Sequence, residues 1–383
     1  MTMITRFMPG ELWPDRHGTP INAHGGGILR HADRWWWFGE HKTAGTDGNF
    51  AQVGIHVYSS SDLLNWQDEG IALQVAPQGS QSPIEQGSII ERPKVLYDAV
   101  NRRFVMYFHL EPVRAGGYSA ALTGIAVARR IAGPYQLVKA IRPNAGYWPQ
   151  NVRPQDQDPA RIDAARAYRE KIPNCNNPVT PALNILGRDR DSGQQTRDMT
   201  LFRDDDGTAY HIYSSEHNAT LHIAELTDDL LDYTGRYWRI FEHRWMEAPV
   251  LFKHRGRYFL IASDCTGWAP NAARLAVAER LGGPWTELGN PVRGTAEQQQ
   301  TTFNSQGTFA LQLDDDRVIF MADRWNPDNA IDGRYVWLPI RFDHDIPYLE
   351  WQDCWTLEKY TFVPRAAQVN RAYIGQPSAL LSN

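Results

Sequence analysis

Five stretches of the chain follow one local grammar: a polar residue, a short apolar run, a turn, then an aromatic-rich strand. They read His24-Gly25-Gly26-Gly27-Ile28-Leu29-Arg30, Glu91-Arg92-Pro93-Lys94-Val95-Leu96-Tyr97, Arg197-Asp198-Met199-Thr200-Leu201-Phe202-Arg203, Glu247-Ala248-Pro249-Val250-Leu251-Phe252-Lys253 and Gln306-Gly307-Thr308-Phe309-Ala310-Leu311-Gln312. Aligned without gaps, they put His24, Glu91, Arg197 (with Asp198 beside it), Glu247 and Gln306 at one register. Internal repetition marks architectures whose units stack to bury a shared core. A repeated strand that always begins on a polar group predicts radial repetition, with those groups meeting near an axis.

Each leading strand is followed by a turn and a second strand. The turns hold His31 to Arg34, Asp98 to Arg102, Asp204-Asp205-Asp206-Gly207, His254-Arg255-Gly256 and Asp314-Asp315-Asp316. Such turns between alternating apolar segments are hairpin signals. Third strands are predicted over Gly54 to Ser59, Thr123 to Ala128, Ala219 to Leu226, Ala273 to Ala278 and Gly333 to Ile340. An outer segment with an aromatic follows each: Asn65-Trp66, Pro134-Tyr135, Asp232-Tyr233, Pro284-Trp285 and Glu350-Trp351. Four strands in each of five units describe an all-β, five-bladed β-propeller with antiparallel blades. The expected blades span roughly 20–80, 85–143, 195–240, 244–292 and 303–358, within one catalytic domain over 1–383. An insertion over 144–195, rich in Pro, Asp, Arg and Asn, reads as functional or lid-like and carries one helix candidate, Pro159 to Glu170. The ends, Pro9 to Asn22 and Tyr360 to Asn383, are expected to lie along the propeller and help close it.

The charge balance narrows the partners. With 39 basic and 44 acidic residues spread along the chain, no basic stripe points to nucleic acid. No apolar run approaches the ~20 residues of a membrane span. The cysteines, Cys175, Cys265 and Cys354, are far apart with no CxxC spacing, which disfavours a zinc site. No charged-then-apolar leader opens the sequence. The compartment stays open: cytoplasmic, or periplasmic or secreted if a signal was removed. Nothing fixes oligomeric state. The 14 Trp and 16 Tyr suit both β cores and sugar-stacking faces, and composition alone favours core packing. An oligo- or polysaccharide partner is implied only by motif resemblance.

Cleaving a glycosidic bond needs a protonated carboxyl for the leaving oxygen and a second group on the opposite face, ~6.5–9.5 Å away in inverting enzymes. Glu247 is the candidate acid, because Ala248-Pro249 and an apolar strand follow it, a setting expected to raise its pKa. Glu91, flanked by Ile89-Ile90 and Arg92-Pro93, is the second candidate, able to tune Glu247 or bind a hydroxyl. Asp198 reads equally as a direct participant or as a carboxylate held by Arg197 or backbone N–H groups. His24 precedes three glycines that allow a close approach, and is read as a sugar contact or as a core histidine. Gln306 is a neutral amide; its chemistry alone makes it a binder of hydroxyls or water. Further candidate sugar contacts are Arg92, Arg197, Glu40, Glu216, Arg324 and Arg334, with Trp148, Trp268 and Trp325 as platforms. No metal ligand set is evident.

Ala23-His24-Gly25-Gly26-Gly27-Ile28, Glu91-Arg92-Pro93-Lys94-Val95, Arg197-Asp198-Met199-Thr200-Leu201-Phe202, Glu247-Ala248-Pro249 and Ser305-Gln306 together resemble glycoside hydrolase family 43. The resemblance spans roughly residues 20 to 358 and implies a five-bladed propeller that inverts configuration. The family's acid Glu matches Glu247. Its usual base Asp, at the start of the first blade, is replaced by the glycine run near Gly25, and a second-blade Asp is replaced by Lys94. The branch lacking that base resembles exo-β-1,3-galactanases. There a Glu matching Glu91 assists, and a Gln matching Gln306 is proposed to act as base through its imidic acid tautomer. A related branch holds α-L-arabinofuranosidases and β-D-galactofuranosidases. Some family members carry a structural cation on the axis, which His24 would neighbour. The resemblance implies an exo-acting, inverting hydrolase of terminal galactosyl-type residues, with furanosidase action or sugar binding without hydrolysis as alternatives.

Overall fold

Short alternating strands cannot bury an apolar face as lone hairpins and must stack on neighbours. The computed structural model describes residues 3–168, 179–314 and 317–358, and in it the strands form five antiparallel sheets in sequence order. Blade I comprises His24–His31, Arg34–Glu40, Gly54–Ser60 and Gln67–Gln74. Blade II comprises Ile89–Asp98, Arg103–Glu111, Leu122–Ala128 and Gln136–Ile141. Blade III comprises Met199–Arg203, Ala209–Ser215, Thr220–Leu226 and Tyr233–Ile240. Blade IV comprises Met246–His254, Arg257–Asp264, Arg274–Ala278 and Thr286–Gly289. Blade V comprises Gln306–Gln312, Val318–Arg324, Arg334–Asp343 and Ile346–Glu350, and gains an outer parallel strand, Val292–Arg293. The first strand of each blade touches the first strands of both neighbours, closing a ring. The fold is an all-β, five-bladed propeller.

The apolar core is divided accordingly. Five buried clusters fill the five seams between adjacent blades, and none fills the axis. The seam between blades V and I has no covalent strand connection, and an N-terminal segment seals it. Phe7 exchanges backbone hydrogen bonds with Trp355 (2.9 and 3.1 Å) and stacks on its ring at 4.1 Å. Trp13 packs between Trp37 and Trp337, at 5.7 and 4.9 Å. The Tyr335 hydroxyl donates to the Ile21 carbonyl and accepts from the Ala23 N–H, both at 2.9 Å. The closing role expected of residues 9–22 is thus observed. The matching expectation for 360–383, like Cys175 and the turn residues Asp315 and Asp316, falls outside the described residues.

One irregularity positions the functional end. In four blades the pairing of first and second strands slips just past the leading polar residue: His24/Gly27, Glu91/Lys94, Glu247/Val250 and Gly307/Phe309. These are β-bulges, which break the strict alternation of side chains and re-aim them. In three of them the residue after the polar one is left-handed: Gly25 (φ 59°), Arg92 (φ 57°) and Ala248 (φ 51°). Glu91 and Arg92, adjacent in sequence, consequently both face the same end of the axis.

The described residues of the insertion pack against a blade edge. Its helix spans Pro159–Ala167, capped by the Asp158 carboxylate, and a short helix not expected from sequence spans Ile185–Asp189. The segment docks on the outer edge of blade III. Gln150 N–H donates to the Tyr237 carbonyl (2.7 Å), and the Asn151 side chain exchanges hydrogen bonds with the Arg239 backbone.

If the N-terminal segment closes the ring, Phe7→Ala destabilises the fold by about 3–5 kcal/mol, as for other buried large-to-small changes. Exposed Val100→Ala should stay within about 0.5 kcal/mol. Urea unfolding of both variants reads the difference.

Candidate active site

Where the first strands begin, residues from all five blades line one cavity of about 280 Å³. Blade I contributes Glu40, blade II Glu91 and Arg92, blade III Arg197 and Asp198, blade IV Glu247, and blade V Gln306 and Trp325. Trp268, on the loop after the second strand of blade IV, completes the aromatic wall and meets Trp325 edge-on at 5.8 Å. These nine include all three residues expected to do chemistry.

Arg92 organises the floor. Its Nη2 donates to Asp198 Oδ2 (2.9 Å) and to Gln306 Oε1 (2.6 Å), and its Nη1 donates to the Gly307 carbonyl (2.9 Å). Its backbone N–H donates to Glu40 Oε1 at 3.0 Å. Burial opposes the charge, but Asp198, Glu40 and Glu91 outweigh it and raise the Arg92 pKa above the ordinary arginine value. Asp198 is therefore held by Arg92, and by the Ala248 N–H at 3.1 Å, rather than by Arg197. Gln306 is locked at both ends: Oε1 also accepts from Trp325 Nε1 (2.9 Å), while Nε2 donates to Ser263 Oγ (3.0 Å).

Glu91 is an ionised carboxylate. Burial would raise its pKa, but the hydrogen bond and charge of His109 bring it down to about 2, with help from Tyr118. His109 Nδ1 lies 3.0 Å from Glu91 Oε2, and Tyr118 donates to Oε1 at 2.6 Å. Burial works against His109 too, yet Glu111 and Glu91 on its two ring nitrogens push it up to about 9. Glu111 also meets Arg197 Nη1 at 3.4 Å. Arg197 Nε and Nη2 are buried in the cavity wall with no hydrogen-bond partner among the described residues. Glu247 Oε1 accepts from Asn218 Nδ2 at 2.8 Å.

Five expected sugar contacts lie elsewhere, since none of them lines this cavity. His24 is fully buried, stacked on Tyr335 and 3.1 Å from Asp323, which also accepts the Gly25 N–H; it braces the bulge. Glu216 is buried against Arg239 and His222. Trp148 packs beside the seam between blades II and III, under the Arg190 guanidinium. Arg324 lines a neighbouring cavity behind Trp268 and Trp325 and donates to the Phe303 carbonyl. Arg334 is engaged with Asp332 and the Gly333 carbonyl. No described residue of 144–195 lines the main cavity either.

Lys42, Asn49, His109, Tyr118 and Asn218 line it and were not expected. Strand register offers the missing signal for part of this set. The leading residue pairs with the end of the second strand: His24 with Glu40, Glu91 with His109, Glu247 with Ser263 and Gln306 with Asp323. Lys42 pairs with Glu40 and sits beneath Trp268 and Trp325, a contact that no local pattern announces.

The glycine run is filled from within the protein. A Cβ on Gly25 would meet Glu40 Oε1 at 2.2 Å, and one on Gly27 would meet Lys94 Cδ at 2.5 Å. Lys94 Nζ donates to the Gly25 and Arg92 carbonyls (3.0 and 3.3 Å), and its stem reaches the axial cavity lined by all five first strands. Burial, then the Arg92 charge, push its pKa down to about 7. Among the described residues, no group of three or more His, Cys, Asp or Glu is arranged to hold a metal ion.

The chain is similar in fold and sequence to a solved glycoside hydrolase family 43 β-1,3-galactosidase with galactodeoxynojirimycin. It is 43% identical over 92% of this chain and 100% of that one, with a TM-score of 0.82. The chain belongs to glycoside hydrolase family 43. The family model described as "Glycosyl hydrolases family 43" matches residues 176–345. An exo-β-1,3-galactanase from Phanerochaete chrysosporium, solved with β-1,3-galactotriose, is 29% identical over 94% of this chain and 70% of that one, with a TM-score of 0.74. A curated β-D-galactofuranosidase from Aspergillus niger is 26% identical over 169 residues, which is 41% of this chain. The chain spans about half the length of that relative, at 47%. The protein is thus a family 43 glycoside hydrolase.

The Glu91–His109 pair gives this hydrolase a stability signature. Glu91 has a folded pKa below its ordinary 4.5, so its contribution is present above pH 4.5 and lost as pH falls toward about 2. His109 has a folded pKa above its ordinary 6.5, so its contribution is present below pH 6.5 and lost as pH rises through about 9. His109→Gln should therefore destabilise most between pH 4.5 and 6.5, with the gap from wild type closing on both sides. Denaturant unfolding across pH measures it.

Proposed function

We propose that this hydrolase removes terminal β-galactosyl residues from β-1,3-linked galactan or arabinogalactan side chains, by an exo-acting, inverting mechanism. The observation that carries the reading is the meeting of Glu247, Gln306, Glu91 and Asp198 around one cavity at the axis end. Its size, just below the ~300–1,000 Å³ of ligand clefts, suits a chain terminus better than a threaded polymer. The β-1,3-galactosidase and β-1,3-galactanase relatives support the choice of sugar and linkage.

In this reading Glu247 protonates the leaving oxygen, and water attacks the anomeric carbon from the opposite face. Glu91, ionised and acceptor-only, takes hydroxyl protons of the sugar in hydrogen bonds. Arg197, with two buried donor nitrogens unused among the described residues, supplies the complementary donors. Trp268 and Trp325 offer apolar faces to the sugar ring.

In the same reading Gln306 holds the attacking water. With Oε1 bonded by Arg92 and Trp325, the resting side chain is an amide whose remaining Nε2–H can orient water. Accepting a proton from that water requires the imidic acid form, with a hydrogen on Oε1. Two N–H donors on that oxygen oppose it, so base action requires substrate to draw Arg92 or Trp325 away. Glu247→Gln should lower turnover of β-1,3-galactobiose by ~10²–10⁴-fold, and Gln306→Ala by ~10²-fold or more. Unchanged turnover in either variant would remove that residue from its role.

The galactofuranosidase relative favours a second reading, in which the same groups act on a furanoside. Parallel assays on nitrophenyl β-galactopyranoside, β-galactofuranoside and α-arabinofuranoside, beside β-1,3-galactobiose, separate the two. Proton NMR of the first-formed product should show the α-anomer of galactose. A β-anomer would exclude inversion.

A further inference from the structure

The hairpin joining the second and third strands of blade III turns through three successive left-handed residues. Glu216, His217 and Asn218 have φ of 52°, 60° and 66°. None is glycine, and such a residue costs about 1–2 kcal/mol against ordinary backbone. All three are buried. Strain of this kind persists only where the surroundings over-determine it, and it clusters at functional sites.

Glu216 is the anchor. Arg239 grips its carboxylate as a fork, Nε on Oε1 at 2.7 Å and Nη2 on Oε2 at 2.8 Å, and His222 Nε2 lies 2.8 Å from Oε1. Burial opposes ionisation, but the Arg239 charge holds Glu216 well below the usual carboxylate range. The His217 N–H is taken by Gln195 Oε1 at 2.9 Å. The turn ends on Asn218, which lines the cavity and donates to Glu247 Oε1 at 2.8 Å.

Arg239 faces outward as well. Its Nη1 meets Asp156 Oδ2 at 3.2 Å and Glu242 Oε2 at 3.1 Å. Asp156 is a buried residue of the insertion, in the 3₁₀ turn Pro154–Gln157. A continuous buried polar chain therefore runs from the insertion through Asp156, Arg239 and Glu216 to the strained turn, and from Asn218 to Glu247. Removing one member leaves a buried charge uncompensated, which such networks tolerate poorly.

We infer that Asn218 is a positioning residue for the acid Glu247, and that the insertion holds it in place through Asp156, Arg239 and Glu216. The inference rests on the reading of Glu247 as general acid. Asn218 donates to Oε1 and so fixes the orientation of the carboxyl that carries the proton. That proton passes to the glycosidic oxygen, which keeps the electron pair of the breaking C1–O bond and departs as a hydroxyl. Water forms the new bond to C1, its surplus proton goes to solvent, and Glu247 is reprotonated from solvent. Negative charge grows on Glu247 as the proton leaves, so the Asn218 N–H bond strengthens in the transition state and accelerates the step.

The leaving group tests this. The dinitrophenolate of 2,4-dinitrophenyl β-galactopyranoside departs without a proton, whereas the sugar leaving group of β-1,3-galactobiose needs one. Glu247→Gln sets the benchmark, with ~10²–10⁴-fold loss on galactobiose and at most about tenfold on the aryl substrate. Asn218→Ala should show the same split, with a ~10-fold or larger fall in kcat on galactobiose against about twofold on the aryl substrate. Arg239→Met and Asp156→Asn should split the substrates in the same direction. Retained aryl turnover also reports that each variant is folded. Equal loss on both substrates in Asn218→Ala, while Glu247→Gln splits them, overturns the inference and leaves the acid standing. A Glu247→Gln variant with no split removes the acid assignment and the inference with it.

Discussion

The site depends on the pairing of one buried guanidinium. Arg92 stands at the axis end, where no apolar cluster reaches, and every blade contributes to holding it. Its backbone N–H binds Glu40 of blade I, its Nη2 binds Asp198 of blade III and Gln306 of blade V, and its Nη1 takes the Gly307 carbonyl. Blade IV joins indirectly, through the Ala248 N–H on Asp198. Fully desolvated charges are tolerated only with such complete pairing, and losing one partner costs more than the pair is worth. The blades are thus locked in angle by the requirement that this charge be satisfied.

That requirement explains the division of labour along the axis. Apolar burial is confined to the five seams, sealed at the last one by Phe7 and Trp13. Polar groups gather at the cavity end of the axis, and Lys94, threaded past Gly27, stands between that cavity and the axial cavity behind it. The glycine run at Gly25–Gly27 is therefore a space shared by Glu40, Arg92 and the Lys94 side chain. Glu40 and Lys94 account for two of its three glycines, and Gly26 packs against the Phe38 carbonyl.

The two left-handed turns beside the site follow the same logic. Residues 216–218 join the second and third strands of blade III and deliver Asn218 to Glu247. Thr302, Phe303 and Asn304, also left-handed, lead directly into Ser305 and Gln306. Asn218 and Gln306 are both approached through left-handed backbone, which holds them more tightly than a mobile loop would.

Repetition made the blades legible. Five polar-led strands, their Asp- and Gly-bearing turns and the following aromatic runs specify strand, hairpin and radial stacking through local chemistry, and the polar register marks the axis end. Glu247, Gln306, Glu91, Arg92 and Asp198 were visible for that reason. Glu216 and His24 were legible as polar residues near that end, but not as braces, because their partners Arg239 and Asp323 are brought to them only by folding. Lys42, Tyr118 and Asn218 carry no local signature at all. The sequence by itself determined the strands, their order and the set of polar groups at one end of them. Only the tertiary structure decided which of those groups face the cavity and which neutralise one another. Side-chain direction after a bulge and the pairing of charges across blades depend on backbone twist and on burial, and neither is set by nearest neighbours in the chain.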